Sequence, residues 1–476
     1  MTESNFNLIH QAVFQDKRNV YMSGIAGVGK SYQLKLLYQH AKEVNLNCEL
    51  LSTTGVSAFN LNGKTIHSWS GVILPSYLLD TEEAQDRFLN KIIRKTRLSP
   101  YKERWRDVDI IFVDEISMLG AMYLETLDIV ARNIRKNEMP FGGIQLVFTG
   151  DSLQCGPIKD EFFFESEVWY SLEFKNFILQ KAYRFDNQDW CDLLFRARLG
   201  QLTSADIKTL KSRLKHNLSK DELEDASRIL FVPLNKEVDI YNKDQLQRLS
   251  GREYKFEAND SVEVETKKLI KRVTLPSKKK QDEGTSIGHL TLEEKEIQEK
   301  EPKSKVTVID PVKEEFDKIF MIEQVLVLKI GARVMLRVNL DIENGLVNGT
   351  VGEMVKVSKD YQIITVNFAG TEVEIEPFVF EDEEYEENKI VYRTRIQFPL
   401  CLAWATSIHK SQSLTFQKIE VDIGNSIFSP GQSYVALSRC KSLQGLTLTS
   451  FNPAKIYPDQ RAVKFETSLK KIATLI

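Results

Sequence analysis

Residues 20–31 read VYMSGIAGVGKS and place a glycine-rich loop directly after a short apolar run. Residues 24–31 fit the pattern G-x-x-x-x-G-K-[ST], and a helical pattern follows them. Glycines in such a loop let backbone N–H groups turn around phosphate oxygens, where a β-carbon would obstruct them. The helix that follows directs its positive end at the same phosphates. The stretch therefore predicts a strand, a phosphate-binding loop and a helix within an α/β domain.

The loop also predicts which residues hold a nucleotide. We expect Lys30 to reach the β- and γ-phosphates and the Ser31 hydroxyl to bind Mg²⁺. The remaining nucleotide-binding positions in the loop are Gly24, Ala26, Gly27, Val28 and Gly29.

Two further apolar runs have polar residues after their ends. DIIFV, residues 109–113, precedes Asp114 and Glu115, and QLVFT, residues 145–149, precedes Gln154. In an open α/β sheet, functional residues follow the carboxyl ends of the strands. We expect Asp114 to hold Mg²⁺, Glu115 to polarise the attacking water and Gln154 to sense the γ-phosphate. Taken alone, the acidic pair fits a helix N-cap equally well and the glutamine fits a polar turn. The phosphate loop favours nucleotide hydrolysis but does not say what hydrolysis drives.

The composition indicates a large, folded protein. The 476 residues are 42% hydrophobic and 10% aromatic, which suits roughly two to four domains and excludes a disordered chain. The net charge of −3 argues weakly against nucleic-acid binding without excluding a local basic channel.

The five cysteines include no CxxC pair, so we expect no disulfide framework, no zinc site and a reducing compartment. We see no signal peptide and no apolar run of membrane-spanning length, and we expect an intracellular protein in the cytoplasm, the nucleus or an infected host.

The pattern of apolar runs changes along the chain and divides it into segments. Short runs alternate with helical stretches at the start and again after residue 400, whereas residues 325–400 contain short strands with Gly and Asn turns. The predicted segments are a first ATPase domain at 1–72 and 109–182, a wedge-type insertion at 73–108, a second domain at 183–251 and 401–476, a polar insertion at 252–324 and a barrel-like insertion at 325–400.

Several motifs follow one another along most of the chain. They are GIAGVGKS (24–31), TTGVSAFNLNGKTIHSW (53–69), VDEISML (113–119), FTGDSLQ (148–154), LQKAYRF (179–185), FVPLN (231–235), VMLRVNLDIENGLVNGTVGEM (334–354), LAWATSIHKSQSLTF (402–416) and YVALSRCKSLQGL (434–446). In this order they resemble the motifs of the petite-integration-frequency (PIF-type) DNA helicases, which belong to the RecD-like branch of helicase superfamily one. The resemblance covers about residues 5–450.

The resemblance implies an α/β fold with two RecA-like P-loop domains built on parallel sheets. A small insertion is expected in the first domain and a β-rich, barrel-like insertion in the second. It implies an ATP-dependent DNA helicase of replication, repair or recombination that uses Mg²⁺ and moves 5′ to 3′ on single-stranded DNA. The expected partners are single-stranded DNA, forked or tailed duplex DNA, and single-strand-binding or replication proteins. Because both halves of the cleft lie in one chain, we expect a monomer.

The resemblance also assigns roles to residues outside the phosphate loop. Arg184 and Arg439 correspond to arginine fingers supplied in cis, and they would stabilise the departing γ-phosphate together with Lys30. Gln11 or Asn7 would read the adenine.

A further set of residues is expected to contact the nucleic acid. Thr54, Asn60, Lys64 and His67 are the predicted phosphate donors, Phe59 and Trp69 the predicted stacking groups, and His409 and Lys410 the contacts from the second domain. Both aromatics also suit a protein core, and a single histidine is more often structural. Residues 73–108 are basic and would carry the strand-separating wedge, although a solvated helix surface explains their charge equally well.

Two positions depart from the family pattern, and other functions stay open. Cys155 and Gly156 precede Pro157 where the family usually has two prolines, and Ser413 stands where it usually has glycine.

A non-helicase P-loop ATPase would lack the motifs at 53–69 and 402–416. A binding module with a vestigial ATPase would not need the intact hydrolytic residues. The sequence does not decide between DNA and RNA, and only the resemblance favours DNA.

Overall fold

Two separate parallel sheets form the core of this computed structural model. The structure describes residues 3–72, 82–97, 101–157, 160–185, 187–219, 228–266, 305–309, 313–320, 322–341, 344–386 and 389–476. None of the helices in these ranges is long and apolar enough to cross a membrane.

The strands are numbered in chain order. They are β1 Val20–Gly24, β2 Cys48–Ser52, β3 Lys64–Thr65, β4 Ile110–Asp114, β5 Gln145–Gly150, β6 Lys175–Leu179, β7 Ile229–Val232, β8 Tyr254–Glu257, β9 Asn259–Thr266, β10 Lys305–Ile309, β11 Val325–Leu328, β12 Arg333–Leu336, β13 Val351–Val357, β14 Ile364–Phe368, β15 Thr371–Ile375, β16 Phe378–Glu386, β17 Lys389–Gln397, β18 Leu400–Leu402, β19 Ala405–Ser407, β20 Ile419–Ile423, β21 Leu446–Phe451 and β22 Thr474–Leu475.

The α-helices are numbered in the same way, and a short π-helical turn, Gln11–Gln15, follows the first of them. They are α1 Glu3–His10, α2 Lys30–Glu43, α3 Gly55–Asn60, α4 Ile66–Ser70, α5 Glu82–Arg97, α6 Tyr101–Asp107, α7 Ala121–Arg135, α8 Glu167–Ser171, α9 Gln188–Arg198, α10 Ser204–Ser212, α11 Asn235–Arg248, α12 Lys313–Phe320, α13 Gln432–Leu437 and α14 Gln460–Ile472.

The first sheet has seven parallel strands in the order β22-β6-β1-β5-β4-β2-β3. Every residue of β1 and β4 is buried, as expected for parallel strands that helices cover on both faces. The carboxyl ends of β1, β4 and β5 lie side by side, and they carry the phosphate loop, the acidic pair and the glutamine motif. The sheet therefore brings three predicted motifs to one edge.

The second sheet has four parallel strands in the order β19-β7-β20-β21. Its core includes Phe231, Val421 and Val435, the last from helix α13. The predicted α/β class with two parallel sheets is confirmed.

The end of the chain returns to the first sheet. Strand β22 pairs with β6, and Phe465 of α14 stacks on Phe164 with ring centroids 4.3 Å apart in the first core. The sequence predicts that residues 401–476 belong to the second domain, whereas α14 and β22 pack with the first domain. The apolar face of α14 is covered by aromatic side chains of the first domain, which the local sequence of the helix does not reveal.

The predicted wedge-type insertion is helical where the structure describes it. Helices α5 and α6 lie against α7 of the first domain, and Trp105 of α6 is buried in the same core. Residues 73–81 and 98–100 of this segment lie outside the described residues.

The insertions of the second domain are antiparallel, and the two predicted segments interleave. One sheet has the order β15-β14-β13-β12-β18, and another has the order β10-β9-β17-β16. Strand β8 pairs with β11, and β9 pairs with β17. The predicted polar segment 252–324 therefore supplies strands to the predicted barrel-like segment 325–400. Residues 267–304 of the polar segment lie outside the described residues.

Candidate functional site

The phosphate loop joins β1 to α2, as the sequence predicts. Gly27 and Gly29 have left-handed backbones with φ of +82° and +88°, a conformation that side-chain-bearing residues rarely adopt. Lys30 begins α2 and is 8% exposed, and its Nζ donates to the carbonyl oxygens of Gly24 at 2.8 Å and Ile25 at 3.0 Å. Burial lowers the pKa of Lys30, while Asp151 and the acidic pair oppose the shift. The Ser31 hydroxyl is half-buried on the first turn of α2.

Asp114 is held rigidly at the end of β4. Its Oδ1 accepts from the Thr149 hydroxyl and from the Glu115 backbone N–H at 2.9 Å, and its Oδ2 accepts from the Ser57 hydroxyl at 3.4 Å. These donors lie at the end of β5, on α3 and on the residue after Asp114, so they fix the orientation of the carboxylate. This is the geometry required of a group that positions a metal ion.

Glu115 has a left-handed backbone, with φ of +56°, which turns its side chain toward the second domain. Its Oε1 accepts from the Ser413 hydroxyl at 2.9 Å, whereas its buried Oε2 has no hydrogen-bond partner among the described residues. Burial and then the neighbouring Asp114 raise the pKa of Glu115, and Lys30 and Arg439 oppose this rise. A carboxylate with a raised pKa and one free oxygen suits proton transfer from a water.

Gln154 lies at the contact between the two domains. It is 5% exposed, and its Nε2 lies 3.5 Å from Asp151 Oδ2. Its Oε1 is buried and unpartnered within the described part of the chain. A β-carbon on Gly431 of the second domain would lie 3.0 Å from the Gln154 backbone, so these segments touch. The position suits a residue that responds to closure of the cleft.

Two arginines reach the site from different segments, and we call Arg184 the first finger and Arg439 the second finger. Burial, followed by the charge of Arg439, lowers the pKa of Arg184 to about 10, and Glu115 opposes the shift. Arg439 is 1% exposed and donates to the carbonyl oxygens of Val435 at 3.0 Å and Leu414 at 3.4 Å. The pKa of Arg439 is also lowered by burial. The charge of Glu115 raises the pKa of both arginines against the effect of burial. One carboxylate cannot neutralise two guanidinium groups, so positive charge stays available to an anion.

The phosphate loop contacts the first finger directly, which the sequence did not indicate. A β-carbon on Gly27 would lie 2.5 Å from the Arg184 β-carbon, and the Tyr183 backbone N–H donates to the Gly27 carbonyl at 2.8 Å. The spacing of these residues along the chain gives no sign of this contact.

The arrangement fits a nucleotide phosphate. Glu115 Oε2, Gln154 Oε1 and Arg184 Nη1 are buried without partners among the residues described, and buried polar atoms of this kind need an explanation. A β-carbon built on Gly29 would meet no described atom within 4 Å beyond its chain neighbours, so the space above the loop is open. An anion with an attacking water would supply the missing partners.

The residues also fit a magnesium ion that is shared with a phosphate. In the described ranges, no group of three or more His, Cys, Asp or Glu side chains is placed to hold a metal. Mg²⁺ commonly binds through one or two protein oxygens together with phosphates and waters. The Ser31 hydroxyl and the Asp114 carboxylate provide such oxygens.

The candidate adenine-reading residues lie beside the loop but their role stays a prediction. Gln11, on the π-helical turn, and Asn7, on α1, have exposed side chains. Ile9 and Val13 of the same segment pack in one core with Val28 of the phosphate loop.

The predicted nucleic-acid contacts of the first domain lie on α3, β3 and α4. The Thr54 hydroxyl accepts from the Ser57 backbone N–H and caps α3, so its role is at least partly structural. Asn60 is half-buried, and its Oδ1 is unpartnered within the described ranges. Lys64 is exposed. His67 stacks on Tyr123 with ring centroids 4.5 Å apart and keeps an exposed edge.

Trp69 is a core residue, so its predicted role in base stacking needs correction. It is 1% exposed, and its ring centroid lies 4.7 Å from that of Trp105. The helical insertion covers the face that would be needed to stack on a base. Phe59 is half-buried and stays a candidate.

The second domain presents His409 and Lys410 after β19. His409 is half-buried, Lys410 is exposed, and burial lowers the pKa of His409. Phe428 lies beside His409 with ring centroids 6.4 Å apart and is 57% exposed. An exposed phenylalanine beside this histidine is a stacking candidate that the sequence reasoning missed, because no motif marks it.

A cavity of about 810 Å³ opens between the first domain, the second domain and the turns of the barrel-like insertion. Asn60, Asn348, Trp404 and Ser413 are among its lining residues. The cavity therefore connects the segment that touches Glu115 with the predicted nucleic-acid face.

Comparisons with known proteins agree with this arrangement. The model of the PIF1-like helicase family matches residues 2–204, and that of the DNA helicase Pif1 2B domain matches residues 313–357. The "ATP-dependent DNA helicase PIF1" of Danio rerio is 30% identical over 460 residues, which cover 95% of this chain. The chain spans 62% of the length of that relative.

Solved structures are similar over the whole chain. The crystal structure of Pif1 helicase from Candida albicans has a TM-score of 0.72 and 27% identity, and the match covers 98% of this chain and 99% of that one. The structure of Pif1 helicase from Bacteroides in complex with ADP-AlF3 and ssDNA has a TM-score of 0.62 and 26% identity, covering 99% and 98%. The two parallel sheets and the phosphate loop agree with these matches along the chain. The chain therefore belongs to the PIF1-like helicase family.

Proposed function

We propose that this chain hydrolyses ATP with Mg²⁺ to move 5′ to 3′ along single-stranded DNA and to unwind duplex DNA. The names of the relatives and the ligands of the Bacteroides structure support the reaction and the track. The direction rests on the motif resemblance. We also propose that one chain suffices for hydrolysis, because the described residues bring both domains to the same site.

One contact carries the proposal. The Ser413 hydroxyl donates to Glu115 Oε1 at 2.9 Å, and Ser413 follows His409 and Lys410 in the same segment. The segment that would bind the strand therefore touches the acid that would activate water. A P-loop ATPase without a nucleic-acid track has no need of such a contact.

The hydrolytic roles follow from the surroundings of each side chain. Glu115 accepts a proton from the attacking water through its free Oε2. Lys30 and the two fingers place positive charge where the γ-phosphate leaves, and a finger is worth roughly 10³–10⁵ in rate. Mg²⁺ bound by Ser31 and Asp114 would supply further charge at the phosphate oxygens.

Strand movement needs two binding surfaces that change their separation. The first surface comprises Thr54, Phe59, Asn60, Lys64 and His67, and the second comprises His409 and Lys410 with the exposed Phe428. Backbone contacts and base stacking of this kind hold single strands with little sequence preference. Closure of the cleft on ATP would move one surface relative to the other.

The test is ATP hydrolysis by the purified chain with and without oligo-dT. We expect strong stimulation in the wild type and none in Lys30→Ala, because Lys30 is the buried cation of the loop. Lys42→Ala is a matched control, since Lys42 lies on the same helix over the Tyr38 ring, 5.5 Å from its centroid. This variant should retain the stimulated rate.

Tailed duplexes then test unwinding and direction. A substrate with a 5′ overhang should be unwound and one with a 3′ overhang should not. If oligo-dT leaves hydrolysis unchanged while oligo-U stimulates it, the track is RNA. If neither changes the rate, the chain is a P-loop ATPase without a nucleic-acid track, and the proposal is wrong.

A further inference from the structure

A cluster of buried charges lies behind the phosphate loop. Asp151, Arg198 and Glu466 are each 3% exposed or less. An Arg198 guanidinium nitrogen lies 2.7 Å from Asp151 Oδ1 and 2.9 Å from Glu466 Oε1. Glu466 Oε1 also accepts from the Ser23 hydroxyl at 2.9 Å and the Ser152 hydroxyl at 2.7 Å. The cluster joins the ends of β1 and β5 to α9 and α14.

The Tyr434 side chain connects this cluster to the phosphate loop. Tyr434 lies on α13 in the core of the second domain and is 2% exposed. Its hydroxyl donates to Asp151 Oδ2 at 3.0 Å and accepts from the Ala26 backbone N–H at 2.9 Å. Burial raises the pKa of Tyr434, and Asp151 raises it further, so the hydroxyl keeps its proton and makes both bonds together.

We propose that the Tyr434 hydroxyl is a positioning group that ties the second domain to the phosphate loop and thereby couples closure of the cleft to hydrolysis. The inference rests on the proposed function, because coupling has meaning only in an enzyme whose domains close on ATP. Asp151 does not depend on this bond to remain ionised, since Arg198 lies 2.7 Å from its Oδ1. The bond to Ala26 is therefore the part of the contact that acts on the loop.

The positions of the two fingers explain how one hydroxyl affects the reaction. The second finger, Arg439, lies two residues after the end of α13, and its Nε donates to the Val435 carbonyl on that helix. The first finger packs against Gly27, the neighbour of Ala26. A displacement of α13 therefore changes the position of one finger through the helix and that of the other through the loop.

Tyr434→Phe removes the hydroxyl and keeps the ring in its core. We expect kcat for ATP to fall about five- to tenfold, since a net hydrogen bond of about 1–1.4 kcal/mol corresponds to this range. The KM for ATP and the affinity for ADP should stay within about twofold, because Lys30 and the loop glycines bind the phosphates without Tyr434. The fall in kcat should appear both with saturating oligo-dT and without DNA.

Ser433→Ala is the matched control. Ser433 is the preceding residue on α13, is 2% exposed, and donates from its hydroxyl to the Lys455 carbonyl at 2.8 Å. Ser433→Ala also removes one buried hydrogen bond made by a hydroxyl, but this hydrogen bond does not reach the phosphate loop. We expect its kcat to stay within about twofold of wild type.

Three results would overturn the inference: a kcat in Tyr434→Phe within twofold of wild type, an equal loss in Ser433→Ala, or a change in KM alone. Failure of the proposed function appears separately, as a wild type that oligo-dT does not stimulate. In that case the kcat of Tyr434→Phe, measured without DNA, still tests whether the Tyr434 hydroxyl is a positioning group. A five- to tenfold fall at unchanged KM supports the positioning role, and an unchanged kcat refutes it.

Discussion

Ser413 combines two features that two substitutions can separate. Its hydroxyl donates to Glu115 Oε1 at 2.9 Å, and its backbone is left-handed with φ of +66°. Ser413→Ala loses the bond and keeps the strained backbone, whereas Ser413→Gly loses both. Because a left-handed backbone costs a residue with a β-carbon about 1 kcal/mol, the Gly variant should be more stable than the Ala variant by about that amount.

Both substitutions should impair hydrolysis to the same extent. A hydrogen bond to a charged group contributes about 1.5–3 kcal/mol, so the loss in DNA-stimulated kcat should be about tenfold or more. The bond also lowers the pKa of Glu115, against the rise caused by burial and by Asp114. Without the bond this pKa rises further. Because Glu115 must be ionised to accept a proton, the acidic limb of kcat should move to higher pH in both variants.

The assay is kcat with saturating oligo-dT between about pH 5 and 9, together with thermal denaturation. Ser411→Ala is the control, since Ser411 lies in the same segment and donates to the Ile408 carbonyl at 2.7 Å. Its pH profile should equal that of the wild type. The reasoning fails if Ser413→Gly keeps the wild-type pH profile of kcat. It also fails if the Ala and Gly variants differ in this pH profile, because backbone strain would then determine the activity instead of the hydrogen bond.

Five other substitutions, in three tests, address the loop, the buried cluster and the predicted DNA face. Gly27→Ala and Gly29→Ala share a left-handed backbone, but only the first brings a β-carbon within 2.5 Å of the first finger. Turnover at saturating ATP should therefore fall about 100-fold or more in Gly27→Ala and much less in Gly29→Ala, and equal losses would contradict this. Arg198→Met leaves two buried carboxylates without their ion-pair partner and should lower the free energy of unfolding by about 3–5 kcal/mol. The control is Arg461→Ala, which removes an exposed ion pair and should lower it by at most about 1 kcal/mol. Both values are measured by denaturant titration. Lys410→Ala should reduce the slope of log K against log salt for oligo-dT binding by roughly 0.7, and an unchanged slope would remove it from the interface.

The parallel sheet could be predicted from the sequence because each strand and the phosphate loop are marked by a short, continuous stretch of residues. QLVFT at residues 145–149 lies within β5, and DIIFV at 109–113 overlaps β4. Strands buried on both faces are continuously apolar, and the glycine-rich loop marks the turn from β1 into α2. The motifs at the carboxyl ends of β1, β4 and β5 meet because the strands are neighbours in the sheet.

The contacts that complete the site were not predictable because their partners are far apart in the chain. Tyr434 reaches Ala26, and Ser413 reaches Glu115, across the two domains. No periodicity encodes such a pairing. Trp69 illustrates the same limit, since the residue that covers it, Trp105, belongs to an insertion whose packing the sequence did not specify.

The second domain touches the proposed hydrolytic site at three separate points. Ser413 contacts the acid, Tyr434 contacts the phosphate loop, and Gly431 packs on the backbone of Gln154. Gly431 and Tyr434 belong to one helix and its N-cap, whereas Ser413 belongs to the segment that carries Lys410. If Lys410 binds the strand, as we propose, a displacement of that strand would reach Glu115 through the Ser413 hydroxyl without requiring a movement of α13. Hydrolysis can then respond to the nucleic acid while the phosphate loop stays tied through Tyr434. The two hydroxyls should consequently differ in effect. Loss of the Ser413 bond should reduce turnover more with DNA than without it, whereas loss of the Tyr434 bond should reduce both turnovers by the same factor.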